Sequence, residues 1–119
     1  MVRRPVTAAE VRDALDAIGA APHSPAQIRD LVRTTLRWLA QIEAGHTVEI
    51  RVPPHAAVQA IEGPRHTRGT PPNVVEMNAE AWLGLVAGDL RWDEAIATGV
   101  VHASGLRADL SGLLPLVRP

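Results

Sequence analysis

The apolar residues of this sequence change their spacing near Gly45. Before Gly45 they recur every three or four positions, as on one face of an amphipathic helix. From Thr47 to Val52 apolar and polar residues alternate, as in a strand with one buried face. The chain of 119 residues has the length of one ordinary domain, near ~100–150 residues. We therefore predict an α+β fold.

Two helices are predicted in the N-terminal third. Thr7 and Glu10 have the spacing of a capping box, and Gly19 can end the helix that follows. Ser24, followed by a proline and then a glutamine at the third helical position, marks the second start, and Gly45 its end. The apolar stripe of the second helix comprises Ile28, Leu31, Val32, Leu36, Leu39 and Ile42.

Four strands are predicted after Gly45. Residues 46–52 and 56–62 form a hairpin across a Pro-Pro break, residues 73–77 form a third strand and residues 100–104 a fourth. Between the last two strands, Asn78 caps a helix that Gly88 ends, and a shorter helix over residues 92–98 should bury its tryptophan and Ile96. The leucine-rich segment 107–117, which contains Gly112 and Pro115, is expected to form a short helix that packs as a lid.

The residue types that are absent exclude several kinds of chemistry. The chain has no Cys, Tyr or Phe, and all twelve basic residues are Arg, so disulfides, thiolates and lysine nucleophiles are excluded. Histidines such as His55, His66 and His102 have no metal-ligand spacing. Ser104 lacks the GxSxG context of a nucleophile. We predict that the protein binds no metal and no cofactor, that it has no catalytic residue and that it is not an enzyme.

The overall charge is small. A net charge of −1 disfavours nucleic-acid binding, and we interpret the repeat of Arg29, Arg33 and Arg37 as a solvated helix face, the alternative being a polyanion-binding ridge. The charged, alanine-rich stretch 7–20 follows the first arginines where a signal peptide would need an apolar region. No window approaches the ~18 apolar residues of a membrane span. We expect a cytoplasmic protein.

A resemblance to a known family covers residues 24–116. The run NVVEMN, a helix ending in Gly88-Asp89-Leu90, a short helix ending at Gly99 and a strand ending at Gly105 resemble the second half of the sterol carrier protein domain. The upstream run EGPRHTRGTPPNVVE is similar to the small bacterial version of this domain. The larger relatives have another strand after the long helix, whereas Gly45 leads almost directly into the strand here.

The resemblance implies one domain over residues 1–119, with a helical extension over 1–23 and a core over 24–117. It implies about four mostly antiparallel strands packed against N-terminal and C-terminal helices. Better-known members hold fatty acyl chains, acyl-CoA or sterols in an apolar cavity between sheet and helices. The residues expected to line such a cavity here are Trp82, Leu85, Val86, Leu90, Trp92, Ile96, Leu110, Leu113 and Leu114.

The polar loop over residues 63–72 is the candidate site for the head group of the ligand. Two guanidinium groups close together suit a carboxylate or a phosphate, and the flanking glycines allow backbone amides to turn toward it. The alternative is structural, with Arg65 and Arg68 paired to Glu62 and Glu76. The predicted head-group residues are Arg65, His66, Arg68 and Thr70.

Two hypotheses about function follow. The first is a non-enzymatic carrier or binding domain for a small amphipathic ligand, a fatty acid, acyl-CoA or sterol-like lipid. Its apolar tail would lie between sheet and helices and its acidic head at the loop. The second is a structural or protein-interaction module with a filled core, either a homodimer through the leucine-rich end or an accessory to a bacterial enzyme. The carrier hypothesis is compatible with either a monomer or a homodimer.

Overall fold

The computed structural model describes residues 4–63 and 73–119. Its helices are α1 (Ala8–Ile18), α2 (Pro25–Ile42), α3 (Ala79–Ala87) and α4 (Trp92–Ala97). Its strands are β1 (Val48–Val52), β2 (Ala56–Ala60), β3 (Val74–Met77) and β4 (Val101–Ser104). The predicted α+β class is therefore confirmed, and each strand is one or two residues shorter than the sequence pattern predicts.

The four strands form one sheet in the order β2-β1-β3-β4. The β1–β2 hairpin is antiparallel with Val52 opposite Ala56, and the β3–β4 pair is antiparallel with Met77 opposite Val101. The central pair, β1 and β3, is parallel, with Ile50 opposite Val75. The sheet is thus mixed and mostly antiparallel, as predicted.

The helices lie on one face of this sheet. Helix α2 packs on β2, while α1 and α3 pack on α2 and on each other. The β1 side chains alternate, so Val48, Ile50 and Val52 are buried beneath the helices while Glu49 and Arg51 occupy the opposite face. The largest fully buried side chains are Trp82, Leu36, Leu39, Ile50, Leu85 and Leu110.

The predicted helix starts are confirmed in detail. Thr7 accepts a hydrogen bond from the Glu10 N–H and Glu10 accepts one from the Thr7 N–H, and Ser24 and Gln27 do the same for α2. Each pair satisfies two amide donors that the helix itself leaves free. Asn78 caps α3, and Gly88 ends it in the left-handed conformation with φ of 85°.

The end of α2 differs from the prediction. The helix ends at Ile42 rather than near Gly45, because the Glu43 carbonyl accepts a hydrogen bond of 2.6 Å from the Ile61 N–H. This bond draws the chain out of the helix and toward the end of β2. Gly45 then passes so close to the backbone of Ile61 that a Cβ at Gly45 would lie 2.0 Å from the Ile61 carbonyl oxygen. The glycine provides this close approach.

Two predictions for the C-terminal half are wrong. In α4 the buried residue is Ala95, and Ile96 is 40% exposed, because successive residues of a helix point about 100° apart. Residues 107–117 form turns instead of a helix. The leucine-rich segment is nevertheless anchored, since Leu110 and Leu116 are buried and the Leu116 N–H donates to the Val86 carbonyl.

One buried hydrogen bond joins α3 to α2. The Trp82 indole N–H donates to Thr35 Oγ1 at 2.8 Å, and both side chains are fully buried. The Thr35 hydroxyl in turn lies 2.7 Å from the Leu31 carbonyl, to which it donates. Both polar groups are therefore satisfied inside an apolar core, where an unpaired group would be costly.

Replacing Thr35 with valine should destabilise the protein. Thr35→Val keeps the shape of the side chain but leaves the buried Trp82 N–H without an acceptor, and we expect a loss of about 1–3 kcal/mol in the free energy of unfolding. Urea denaturation measures this loss. Thr34→Val, the same chemical change at the neighbouring partly buried position, is the control and should cost less. Equal losses in the two variants would contradict the role of the hydrogen bond.

Glu10 should titrate at unusually low pH. Arg4 donates to both carboxylate oxygens and the Thr7 N–H to one of them, which lowers the pKa of Glu10 to about 2. The ionised carboxylate therefore stabilises the folded protein at pH values above its ordinary pKa, and this stabilisation is lost as the pH falls toward 2. Carboxyl ¹³C NMR should show this midpoint, and Arg4→Gln should raise it. An unchanged midpoint in Arg4→Gln would refute the pairing.

Candidate functional site

Most of the residues predicted to line a cavity are buried in, or packed against, the hydrophobic core cluster. Trp82, Leu85, Val86 and Leu110 are each at most 1% exposed and pack in one apolar cluster. Trp92, Leu113 and Leu114 are partly buried against the same cluster. The structure brings these seven side chains together, and they pack against one another and against the sheet. The remaining two, Leu90 and Ile96, lie at two separate surface depressions.

The predicted head-group residues Arg65, His66, Arg68 and Thr70 lie outside the described residues, so both interpretations of the loop remain predictions. Its described ends are well anchored. Asn73 is buried, and its side-chain amide donates to the Thr47 carbonyl at 3.0 Å while its Oδ1 accepts from the Arg107 N–H at 2.9 Å. The loop therefore joins the sheet at the N-terminal end of β3.

A larger apolar depression lies at the opposite end of β3. This cleft has a volume of about 750 Å³, within the usual range of ~300–1,000 Å³ for small-molecule sites, and is partly open to solvent. The connection between α1 and α2 forms one wall, and α3 with the segment after it forms the other. Its apolar side chains are Ile18, Ile28, Ala79, Ala81, Leu83, Leu90 and Val100.

The first wall depends on a tight connection between two helices. Ile18 ends α1 and Ile28 lies in the first turn of α2, so the turn between the helices brings both isoleucines to one side. The connection is held by His23, whose Nε2 lies 2.6 Å from the Ala17 carbonyl. Since a carbonyl only accepts, Nε2 is the protonated nitrogen of this ring.

The second wall depends on a glycine inside α3. Leu90 folds back against the helix at Gly84, where a Cβ would come within 3.2 Å of the Leu90 Cβ. The Gly84 carbonyl accepts hydrogen bonds from the Asp89 and Leu90 N–H groups, at 2.9 and 3.1 Å. The absence of a side chain at Gly84 therefore lets Leu90 line the cleft.

The rim of the cleft is polar and carries two carboxylates. Glu80 in the first turn of α3 and Asp89 after its end are both exposed and line the opening, together with His23, Asn78 and Thr98. The Asn78 Oδ1 is occupied by the Ala81 N–H at 2.9 Å. In the part of the chain that the structure describes, no arginine lines this cleft.

The second depression lies on the face of the sheet opposite Val48, Ile50 and Val52 and has a volume of about 580 Å³. Arg51, Glu76 and His102 occupy one row across β1, β3 and β4, and Ile96 borders them. Arg51 is already paired, with its Nη2 2.7 Å from the Glu49 carboxylate. This depression is smaller and its floor is charged, so it suits an apolar ligand less well than the cleft.

The described residues do not assemble a metal site. Within residues 4–63 and 73–119 no three His, Asp or Glu side chains are grouped so that they could hold a metal ion. Asp109 accepts a hydrogen bond of 2.9 Å from the Ser111 N–H, which lowers the pKa of that carboxyl. Asp109 and Ser111 thus form a local turn.

The fold is a mixed four-stranded sheet with helices on one face, compatible with that of sterol carrier proteins. The family model described as "Bacterial SCP ortholog" matches residues 24–116, and the chain belongs to this family. The predicted resemblance is thereby confirmed. No curated protein matches the chain. In the part of the chain that the structure describes, no helix is long and apolar enough to cross a membrane.

Sequence reasoning found only Leu90 among the residues that line the cleft. The sequence pattern places Ile28 on an ordinary helix stripe, and nothing in the spacing of Ile18 or Ile28 distinguishes a cleft wall from a core position. One signal was available: the two isoleucines flank a short helix connection, where the ends of two stripes must come close together. Leu83 and Val100 carried no such signal.

Proposed function

We propose that this chain is a non-enzymatic binding or carrier domain for a small amphipathic ligand, whose apolar part lies in the cleft between the α1–α2 connection and α3. The observation that carries the proposal is the cleft itself, about 750 Å³ in volume and walled by aliphatic side chains. Membership of the bacterial sterol carrier family supports a lipid-carrier type of domain. We propose the single domain 1–119 as the unit that binds.

The cleft is a better site than the space between sheet and helices. Opening the core would separate Trp82, Leu85 and Leu110 from their neighbours, and each such loss of packing costs about 2–5 kcal/mol. The cleft already exposes apolar surface, which a ligand would cover at a gain of about 0.8 kcal/mol per buried CH₂ group. The acidic-head site at Arg65 and Arg68 stays a separate prediction.

Straight-chain alcohols test the proposal without involving charge. From octanol to decanol to dodecanol the affinity should rise by up to about fourfold per added CH₂ group, since each one buried contributes about 0.8 kcal/mol. Ala79→Trp places a large side chain in the cleft and should weaken dodecanol binding at least about tenfold. Isothermal titration calorimetry below the solubility limit of each alcohol measures both effects.

Ala87→Trp is the matched control for this experiment. Ala87 is the exposed last residue of the same helix and is not among the residues that line the cleft. The control should bind dodecanol like the unmodified chain. The proposal fails if no alcohol binds, or if both tryptophan variants weaken binding equally.

A protein-interaction module is the second candidate. It is favoured by one observation, the complete exposure of Leu106, immediately before the leucine-rich segment, and the 82% exposure of Val117 near the end of that segment. If these side chains form a homodimer, sedimentation should show a concentration-dependent mass that Leu106→Asp abolishes. A constant monomer mass would exclude the homodimer.

A further inference from the structure

The charged groups at the mouth of the cleft differ from those expected for a fatty acid carrier. Glu80 and Asp89 bring two carboxylates to the rim, and within residues 4–63 and 73–119 no arginine lines it. Arg91, two residues after Asp89, lies 3.3 Å from Asp93 and is paired there. An anionic head group at this opening would face two like charges without a guanidinium partner.

Two of the three neutral polar groups of the rim, His23 and Thr98, do not reverse this charge. His23 uses Nε2–H for the Ala17 carbonyl, so the neutral ring presents Nδ1 as an acceptor. The Thr98 hydroxyl donates to the Glu94 carbonyl at 2.8 Å and is thereby used within α4. Both groups leave acceptors, rather than donors, for a ligand.

The N-terminus of α3 is a local feature that favours an anion. It contributes roughly half a positive charge, and Asn78 already accepts the hydrogen bond of the Ala81 N–H there. Glu80 lies in this first turn, so its own carboxylate offsets the helix dipole. Two full negative charges at the rim therefore outweigh the partial positive charge.

We infer that the ligand of this cleft is an amphipathic amine: an alkyl chain or apolar ring system that carries a protonated amine or a quaternary ammonium group. The inference rests on the proposed function, because it takes the cleft as the binding site. The apolar walls hold the hydrocarbon, and the carboxylates of Glu80 and Asp89 attract the ammonium group at the opening. Because both carboxylates are exposed, the attraction is moderate and is screened by salt.

Three probes with one chain length separate the charge from the hydrocarbon. Dodecylamine, dodecanol and dodecanoate are titrated into the full chain by calorimetry at neutral pH, low ionic strength and concentrations below micelle formation. We expect the amine to bind about tenfold tighter than the carboxylate, with the alcohol between them. Raising the salt concentration should bring the affinities of the amine and the carboxylate closer to the affinity of the alcohol.

The double variant Glu80→Gln/Asp89→Asn tests the source of the preference. It should remove most of the tenfold difference while leaving dodecanol binding unchanged, since the aliphatic walls are intact. Asp13→Asn/Glu43→Gln is the matched control: it removes the same charge from residues that do not line the cleft. The control should keep the preference for the amine, and circular dichroism verifies that both variants are folded.

The outcomes distinguish a failure of the amine inference from a failure of the proposed function. If none of the three probes binds, the proposed function itself fails. If dodecanol binds but dodecanoate binds as tightly as dodecylamine or tighter, the proposed function stands and the amine inference is overturned. A preference that survives Glu80→Gln/Asp89→Asn, or that disappears equally in the control, overturns it as well.

Discussion

The packing of this protein depends on a single large aromatic side chain in the core. With no Phe or Tyr, the interior is built from aliphatic residues around Trp82, which is fully buried and hydrogen-bonded to Thr35. A tryptophan can be buried this completely only where its N–H has an acceptor. The hydroxyl of α2 therefore fixes both the position and the rotation of α3 over the sheet.

That arrangement determines where a ligand has room. Because Trp82 and its aliphatic neighbours are packed in the core cluster, the apolar surface of α3 that lines the cleft lies toward the α1–α2 connection. The same helix thus contributes one side to the core and another to the cleft. Gly84 makes this division possible, since it lets Leu90 lie against the helix as part of the wall.

The local features of the fold could be predicted from sequence, whereas the shape of the surface could not. Capping boxes at Thr7 and Ser24 and the glycine after α3 depend on neighbouring residues, so a short window contains the necessary information. The outward position of Ile96 and the turns of residues 107–117 depend instead on what each segment packs against. The cleft depends on three segments at once, and no single window reveals it.

The cleft also lies across the boundary of the matched family region. Leu83, Leu90 and Val100 fall within residues 24–116, but Ile18 and His23 precede that range. Helix α1 nevertheless packs on α2 and α3, and its Val11 and Ala14 are buried. One wall of the site therefore comes from a part of the chain to which the family match does not extend. Ligand preference must consequently be argued from this chain's own side chains, in particular the carboxylates at its rim, rather than from family membership.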